Sequence, residues 1–303
     1  MQRFHLASNG LGLLALWSAA VLGAACAADP VTDLPSATSD ASGHGAARPD
    51  RPDRSSAGAR GRAALQAAPA GRVGYYDLDS FIQGVDPLEF QPAPIREGGG
   101  TPIPIEDPTT AALAGLDVLW VDTEFSLPLT FYPEWMSRQA DLDAAVRSGM
   151  VLVIHDSGPP VNASPPVPGG AAFIVTRDLI SREVTDINLR DTSTLVTDGL
   201  TDSSLDLRSA DLPVPGLMDL GFVNDDLLPP TARRFLTRPS PAEIVTFCYP
   251  LGAGAVIYSS IPLSEYTAED EGPDYYPAAL QNAMTHIYAP NVVRYAVAGA
   301  CKQ

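Results

Sequence analysis

Val151-Leu152-Val153-Ile154 is a run of four residues without one polar side chain. A strand with one wet face alternates apolar and polar residues. A run without alternation is covered on both faces, as in a parallel sheet flanked by helices. Leu116–Val121 (Leu-Asp-Val-Leu-Trp-Val) is a second, mostly apolar strand. Between the two, Glu134–Ser148 carries Trp135, Leu142, Ala145 and Val146 at helical spacing, and Gly149 stands just past its end. Strand, helix and strand in this order form a β-α-β unit, which predicts an α/β domain. Val73–Leu78, with Tyr75 and Tyr76, adds a short strand upstream.

The second half has a different texture. Pro159 to Gly170 is a loop rich in proline and glycine. Glu243–Tyr249 and Ala255–Ile261 read as strands on either side of Leu251-Gly252-Ala253-Gly254, a turn sequence, and predict an antiparallel hairpin. Tyr276–Tyr288 and Asn291–Ala298 are helical, with Pro290 at the start of the second. Residues 72–300 make one domain of ordinary size.

The N-terminus carries an address. An apolar stretch from Leu11 to Ala25 follows Arg3 and runs into small residues, the pattern of a secretory signal peptide over residues 1–27. Leu22-Gly23-Ala24-Ala25-Cys26 resembles a bacterial lipoprotein box, in which Cys26 is lipidated and attaches the chain to a membrane. Ordinary signal-peptidase cleavage is the alternative. Residues 28–71 hold much Ala, Ser, Pro and Asp, with Arg48, Arg51, Arg54, Arg60 and Arg62 and almost no large apolar side chain. Such a segment buries too little surface to offset its ordering entropy and reads as a linker or tether. Acidic residues outnumber basic ones, 36 to 19, for a formal charge of −17, which excludes nucleic acid as the main partner. With Cys26 lipidated, Cys248 and Cys301 remain for the folded part. They are a candidate disulfide in an oxidising compartment or two buried thiols.

Four segments together resemble the ThuA-like branch of the class I glutamine amidotransferase-like superfamily. They are Ala114–Val121, Arg147–Asp156 with its Gly-Met-hydrophobic-His pattern, Tyr249–Pro262 with its Gly-x-Gly-x-Val-x-Tyr-Ser hairpin, and Tyr288–Tyr295 as a closing helix. The resemblance spans Arg72 to Ala298. It implies a flavodoxin-like three-layer sandwich with a mostly parallel central sheet and, by family association, a link to sugars. Such amidotransferases place a catalytic Cys on the tight turn after the central strand. Here that turn reads His155-Asp156-Ser157-Gly158. Without a thiolate there, the covalent route to glutamine hydrolysis is closed.

Other chemistry on this turn is limited by geometry. His155, Asp156 and Ser157 are contiguous, and neighbouring strand residues point to opposite sides, so they cannot form a triad by themselves. A base for Ser157 would have to be His286, in the predicted C-terminal helix. The strand ends supply a broader candidate site. Asp77 and Asp79 follow the first strand, Asp122 and Glu124 the second, and His155, Asp156 and Ser157 the third. In open α/β sheets ligands bind beyond the carboxyl ends of strands, and such groups suit acid/base work, a hard cation or sugar hydroxyls. His155 and Asp156 lead as catalytic candidates, assisted by Glu124. Asp77, Asp122 and Ser157 are candidate ligand contacts. Aspartates at these transitions equally serve turn and cap chemistry. The sequence names no metal set and no cofactor. The acidic stretch Glu265–Asp274 lacks the spacing of a calcium loop.

Two function classes follow: an exported, non-catalytic module binding a carbohydrate, cell-envelope component or protein, or a hydrolase of carbohydrate-type substrates using the strand-end carboxylates and His155. They differ in whether Glu124, His155 and Asp156 converge.

Overall fold

The computed structural model describes residues 70–77, 91–123, 129–177, 187–198, 206–208, 212, 219–267, 278–299 and 301, with Asp77, Phe131, Glu265 and Thr267 described by backbone alone. The leader, Cys26, the linker, Asp79, Glu124 and residues 268–274 of the acidic stretch lie outside the described residues.

The apolar runs become the middle of a mixed sheet. Its central strands are β1 (Arg72–Asp77), β2 (Thr101–Pro104), β3 (Val118–Asp122) and β4 (Val151–His155). After them come β5 (Thr176–Arg177), β6 (Asn188–Leu189), β7 (Gly221–Asn224), β8 (Arg233–Thr237), β9 (Glu243–Leu251) and β10 (Gly254–Ser259). Among the described residues the sheet has ten strands, in the order β2-β1-β3-β4-β10-β9-β7-β5, with β8 pairing β9 and β6. The pairs from β2 across to β10 are parallel, and those beyond β10 are antiparallel. The sheet is therefore α/β in its first half and meander-like in its second.

β2 was not legible in the sequence, because Thr-Pro-Ile-Pro has two residues without an N–H. It pairs only with β1, at the edge of the path, where missing donors are tolerated.

Helix α1 (Pro92–Glu97) and α2 (Thr110–Leu113) precede β3. The single helix expected at Glu134–Ser148 is two: α3 (Pro133–Ser137) and α4 (Gln139–Ser148). Arg138 breaks them with φ −101° and ψ 6°, and its guanidinium is tied to Asp107. α4 stops at Gly149, whose φ of 129° few other residues adopt. The Gly252-Ala253-Gly254 turn of the β9–β10 hairpin packs on this end. Ala253 N–H satisfies Arg147 O at 2.9 Å, and a Cβ on Gly254 would stand 2.1 Å from Val146 O.

At the C-terminus lie α5 (Leu263–Thr267), α6 (Ala278–Ala283) and α7 (Ala289–Val297). The two C-terminal helices expected with a break at residues 289–290 run on without one there: α7 begins at Ala289, and a π-turn, Met284–Tyr288, joins α6 to it. Pro290 has no N–H to give to His286 O, and Ala289 N–H reaches back five residues to Met284 O.

Side-chain alternation sorts the core onto the two sheet faces. On one face Val73, Tyr75, Val118, Trp120, Val151, Val153 and Ile257 meet Ile95 of α1 and Tyr288, Val292 and Val293. On the other, Leu119, Val121, Leu152, Ile154, Val256 and Tyr258 meet Trp135, Leu142 and Val146 of α3 and α4. Cys248 on β9 and Cys301 are joined in a disulfide, their Cα atoms 6.4 Å apart, on the Tyr288 face. Among the described residues, no helix is long and apolar enough to cross a membrane.

Candidate functional site

The strand register aligns the polar ends. Asp77 stands beside Asp122, Asp122 beside His155, His155 beside Ser259, and Ser259 beside Thr246. Directly behind this row runs an apolar one, Tyr75-Trp120-Val153-Ile257-Cys248. The row crosses five adjacent strands at the carboxyl end of the parallel ones, where ligands of open α/β sheets bind. β9 enters the row by its regular pairing with β10 and carries a bulge on its other side, against β8, where Thr246 pairs with Leu236 but Thr237 pairs with Ile244.

The row is buried. Asp122 is 5% exposed, and His155, Ser259 and Thr246 are each fully covered. His155 lies beneath the Trp120 ring, centroids 4.9 Å apart, and meets the Tyr288 ring edge-on. Its Nε2 is 3.3 Å from the Tyr288 hydroxyl, which donates to Ser259 Oγ at 3.4 Å. Ser259 and Thr246 hydroxyls lie 2.9 Å apart. Burial pushes the His155 pKa down to about 3, so the imidazole is neutral. Burial raises Tyr288 to about 12, against the lowering effect of hydrogen bonds with Ser259 and Thr246, and the Asp122 charge adds to the rise.

Asp156 sits on the opposite face. Named beside His155 as a leading catalytic candidate, it does not share that residue's face. Its carboxylate accepts from Tyr258 O–H at 2.7 Å and from Gly158 N–H at 3.0 Å. Burial raises its pKa to about 6, against the lowering effects of those two bonds and the Arg177 charge. The alternation that separates strand neighbours explains this: His155 ends the strand facing Trp120, and the next residue turns away.

Ser157 is fully buried and belongs to a third small network. Thr123, just past β3, gives its N–H and its O–H to His155 O. Its Oγ1 accepts Ser157 N–H at 2.7 Å and lies 3.0 Å from Ser157 Oγ. His286 is remote from this serine in its bonding: it is half exposed, and its Nδ1 lies 3.1 Å from both Glu97 carboxylate oxygens. The turn that would be a nucleophile elbow also spends its backbone donors internally. Asp156 N–H goes to Ser259 O, Ser157 N–H to Thr123 Oγ1 and Gly158 N–H to Asp156 Oδ1.

Of the sequence candidates, register thus brings Asp122 and His155 to one face and places Asp77 in line with them, while Asp156 and Ser157 are wired elsewhere. Thr123, Thr246, Ser259, Tyr258 and Tyr288 belong to the site and were missed. Ser259 lay inside the expected strand 255–261, which ends at Ser259 in the structure, and Tyr288 stood at the end of an expected helix, two residues before Pro290. Among the described residues, no three His, Cys, Asp or Glu side chains are grouped to hold a metal ion.

No family model and no curated protein matches the chain. Solved structures similar to it include a cytoplasmic protein from Salmonella typhimurium, at TM-score 0.42 and 11% identity over 74% of this chain and 98% of that one. An exo-beta-1,4-mannosidase from Opitutaceae bacterium strain TAV5 matches at TM-score 0.36 and 14% identity, over 67% of this chain and 33% of that one. A beta-galactosidase from Bacillus circulans sp. alkalophilus matches at TM-score 0.36 and 12% identity, over 77% and 31%. The chain thus spans about a third of each glycosidase chain. Likeness of this degree carries no argument about function.

Proposed function

We propose that this is an exported, non-catalytic binding domain of the glutamine amidotransferase-like kind, a three-layer flavodoxin-like sandwich held on a tether, with a carbohydrate, cell-envelope component or protein as ligand. The tether is attached to the membrane through lipidated Cys26 or is freed by ordinary signal-peptide cleavage. One observation carries the non-catalytic part: the three elbow N–H groups are all consumed by the protein's own oxygens. An acyl-transfer or hydrolytic elbow keeps such donors aimed at the place where negative charge develops. Two further facts support it. Cys248 and Cys301 are disulfide-bonded, so neither is a thiolate nucleophile. His155 and Asp156 lie on opposite faces, which weakens the hydrolase reading that requires them together.

The test is turnover. Purified protein without its leader is assayed with glutamine and with a panel of nitrophenyl glycosides, beside His155→Gln and Asp156→Asn variants checked for folding. The expected result is no release above the blank in any sample. Turnover by the native chain that either variant loses would overturn the proposal. Intact mass of the native protein tests the address. A mature chain beginning at Cys26 with an added diacylglycerol supports lipidation, and an unprocessed chain beginning at Met1 overturns export.

A further inference from the structure

A sheet that ends in a bare strand offers that strand's outward N–H and C=O groups to any other strand able to reach them. Among the described residues the sheet has three ends. Two are short: β5 and β6 have two residues each, and Val175, just before β5, is bridged to Ala163. The third is β2, with four residues, of which Thr101 and Pro104 are exposed and Pro102 and Ile103 half-buried. Among the described residues β2 pairs with β1 alone. Of the three ends it presents the longest edge.

The pairing of β2 fixes where each of its backbone groups points. Thr101 N–H donates to Gly71 O at 2.8 Å, and Ile105 N–H, just past the strand, donates to Tyr75 O at 3.0 Å. Both point toward β1. Backbone direction alternates along a strand, so Ile103 points the same way, and residues 102 and 104 point outward. Both outward positions are proline, and both inward ones, Thr101 and Ile103, keep an N–H. A proline at 101 or 103 would break the ladder to β1. At 102 or 104 it removes only a donor that would have faced away from the sheet. The outer edge of β2 therefore has carbonyl acceptors and no N–H, and the ring carbon on each proline nitrogen stands where the hydrogen would be. An added strand would find no donor for its own carbonyls and would lose their hydration for nothing.

We infer that Pro102 and Pro104 close this edge to strand addition, and that the partner they turn away is a second copy of the same chain. A strand edge is its own complement: two copies of β2 related by a two-fold axis meet as an antiparallel pair, each giving and receiving the same bonds. With Thr101 and Pro104 exposed, solvent and a second copy reach the same edge. Half-buried Ile103 adds an apolar side chain that such pairing would cover further. The two prolines withhold the hydrogen bonds that would hold the pair together. The inference goes beyond the binding-domain reading and does not rest on it.

The experiment compares the chain without its leader with a Pro102→Thr/Pro104→Thr variant, which returns both outward N–H groups on a residue at home in strands. Sedimentation velocity follows both proteins from about 10 μM to about 1 mM, where weak symmetric dimers appear. The native chain should stay monomeric, and the variant should associate at least about tenfold more tightly. Amide exchange identifies the surface. The N–H groups of residues 102 and 104 should exchange fast in the dilute variant and slowly in the concentrated one. A variant that associates no more tightly than the native chain overturns the inference. Tighter association that leaves both new N–H groups exchanging fast also overturns it, because the contact then lies elsewhere. Pro104→Thr alone returns one donor at an exposed position. It carries the test if the double variant does not fold, with a smaller gain expected and the same two results against it.

Discussion

His155 and Asp156 are neighbours in sequence and opposites in structure. One lies under Trp120 and Tyr288, the other under Tyr258, with the sheet between them. Burial acts on both and moves both toward the uncharged form: the imidazole falls to about 3 and the carboxyl rises to about 6. In an open cleft this pair would make an acid–base couple. Split by strand alternation and sealed on each side, it makes two separate hydrogen-bonding groups. The faces also differ in how they are closed. The Asp156 face is closed by helices packed through Trp135, Leu142 and Val146. The His155 face is closed by α7 and by a disulfide from β9 to Cys301.

The largest test of that difference removes the staple. Cys248 and Cys301 are 53 residues apart, and closing a loop of that length restricts the unfolded chain by about 4 kcal/mol. The double Cys→Ala variant should lose about that much in urea unfolding, with a steeper denaturant dependence from a more expanded unfolded state. A loss below about 1 kcal/mol would mean that packing alone closes the His155 face, and the two faces would be alike.

The second test uses protons, because the two residues have opposite linkage. His155 falls from its ordinary 6.5 to about 3 in the fold. Its stabilisation is complete above the unfolded value and drains as pH falls through the interval between the two. Asp156 rises from 3.8 to about 6. Its stabilisation is complete at low pH and is lost as pH rises through the folded value. Across the interval where both act, the two slopes largely cancel, each being on the order of 3 kcal/mol in total. Asp156→Asn should expose the His155 slope and lose stability, relative to the native chain, as pH falls from about 6 to 3.8. His155→Gln should expose the opposite slope and gain, relative to the native chain, as pH falls from 6.5 to about 3. Groups common to all three proteins drop out of the differences. Equal pH profiles for the three would show that neither residue is buried as described.

Much of the fold was legible, for a physical reason. Val151–Ile154 and Leu116–Val121 are apolar enough that no arrangement but a doubly covered strand suits them. Gly149 marks a helix end by its φ of 129°, and Gly252 and Gly254 mark a turn that a Cβ would obstruct. The carboxyl ends of these two strands were therefore placed within one residue, and Asp122 and His155, read as following them, are their last residues. What was not legible depends on register and on partners far away in sequence. Nothing local to Ser259 or Thr246 tells that they align with His155, since that alignment is set by β10 inserting beside β4 and by its antiparallel pairing with β9. Nor does the sequence near Tyr288 reveal a π-turn, although Pro290 shows that an α-helical bond must be lost there. The split between His155 and Asp156 was available from strand alternation alone. Their complete burial was not, because it depends on the helices that cover each face.

The smallest expected effect compares the two described histidines. His286 sits on the same π-turn as Tyr288, yet its side chain is 52% exposed and its contact is an ion pair with Glu97, itself 40% exposed. Such pairs contribute about 0–1 kcal/mol, because water already solvates both partners and ordering two side chains costs entropy. α1 and α7 also keep a bond that does not involve His286, from the Arg294 guanidinium to Glu97 O at 2.9 Å. His286→Ala should therefore change unfolding stability by about 0.5 kcal/mol or less in moderate salt, and by less still in about 1 M salt, where screening shortens the reach of the pair. His155→Ala should cost several times more, since it empties a volume packed by Trp120 and Tyr288 and leaves the Tyr288 hydroxyl short of a partner. Urea unfolding of the two variants side by side measures the contrast. A loss on His286→Ala as large as that on His155→Ala would mean that the outer surface of the π-turn, and not its buried tyrosine, holds the C-terminal helices on the sheet.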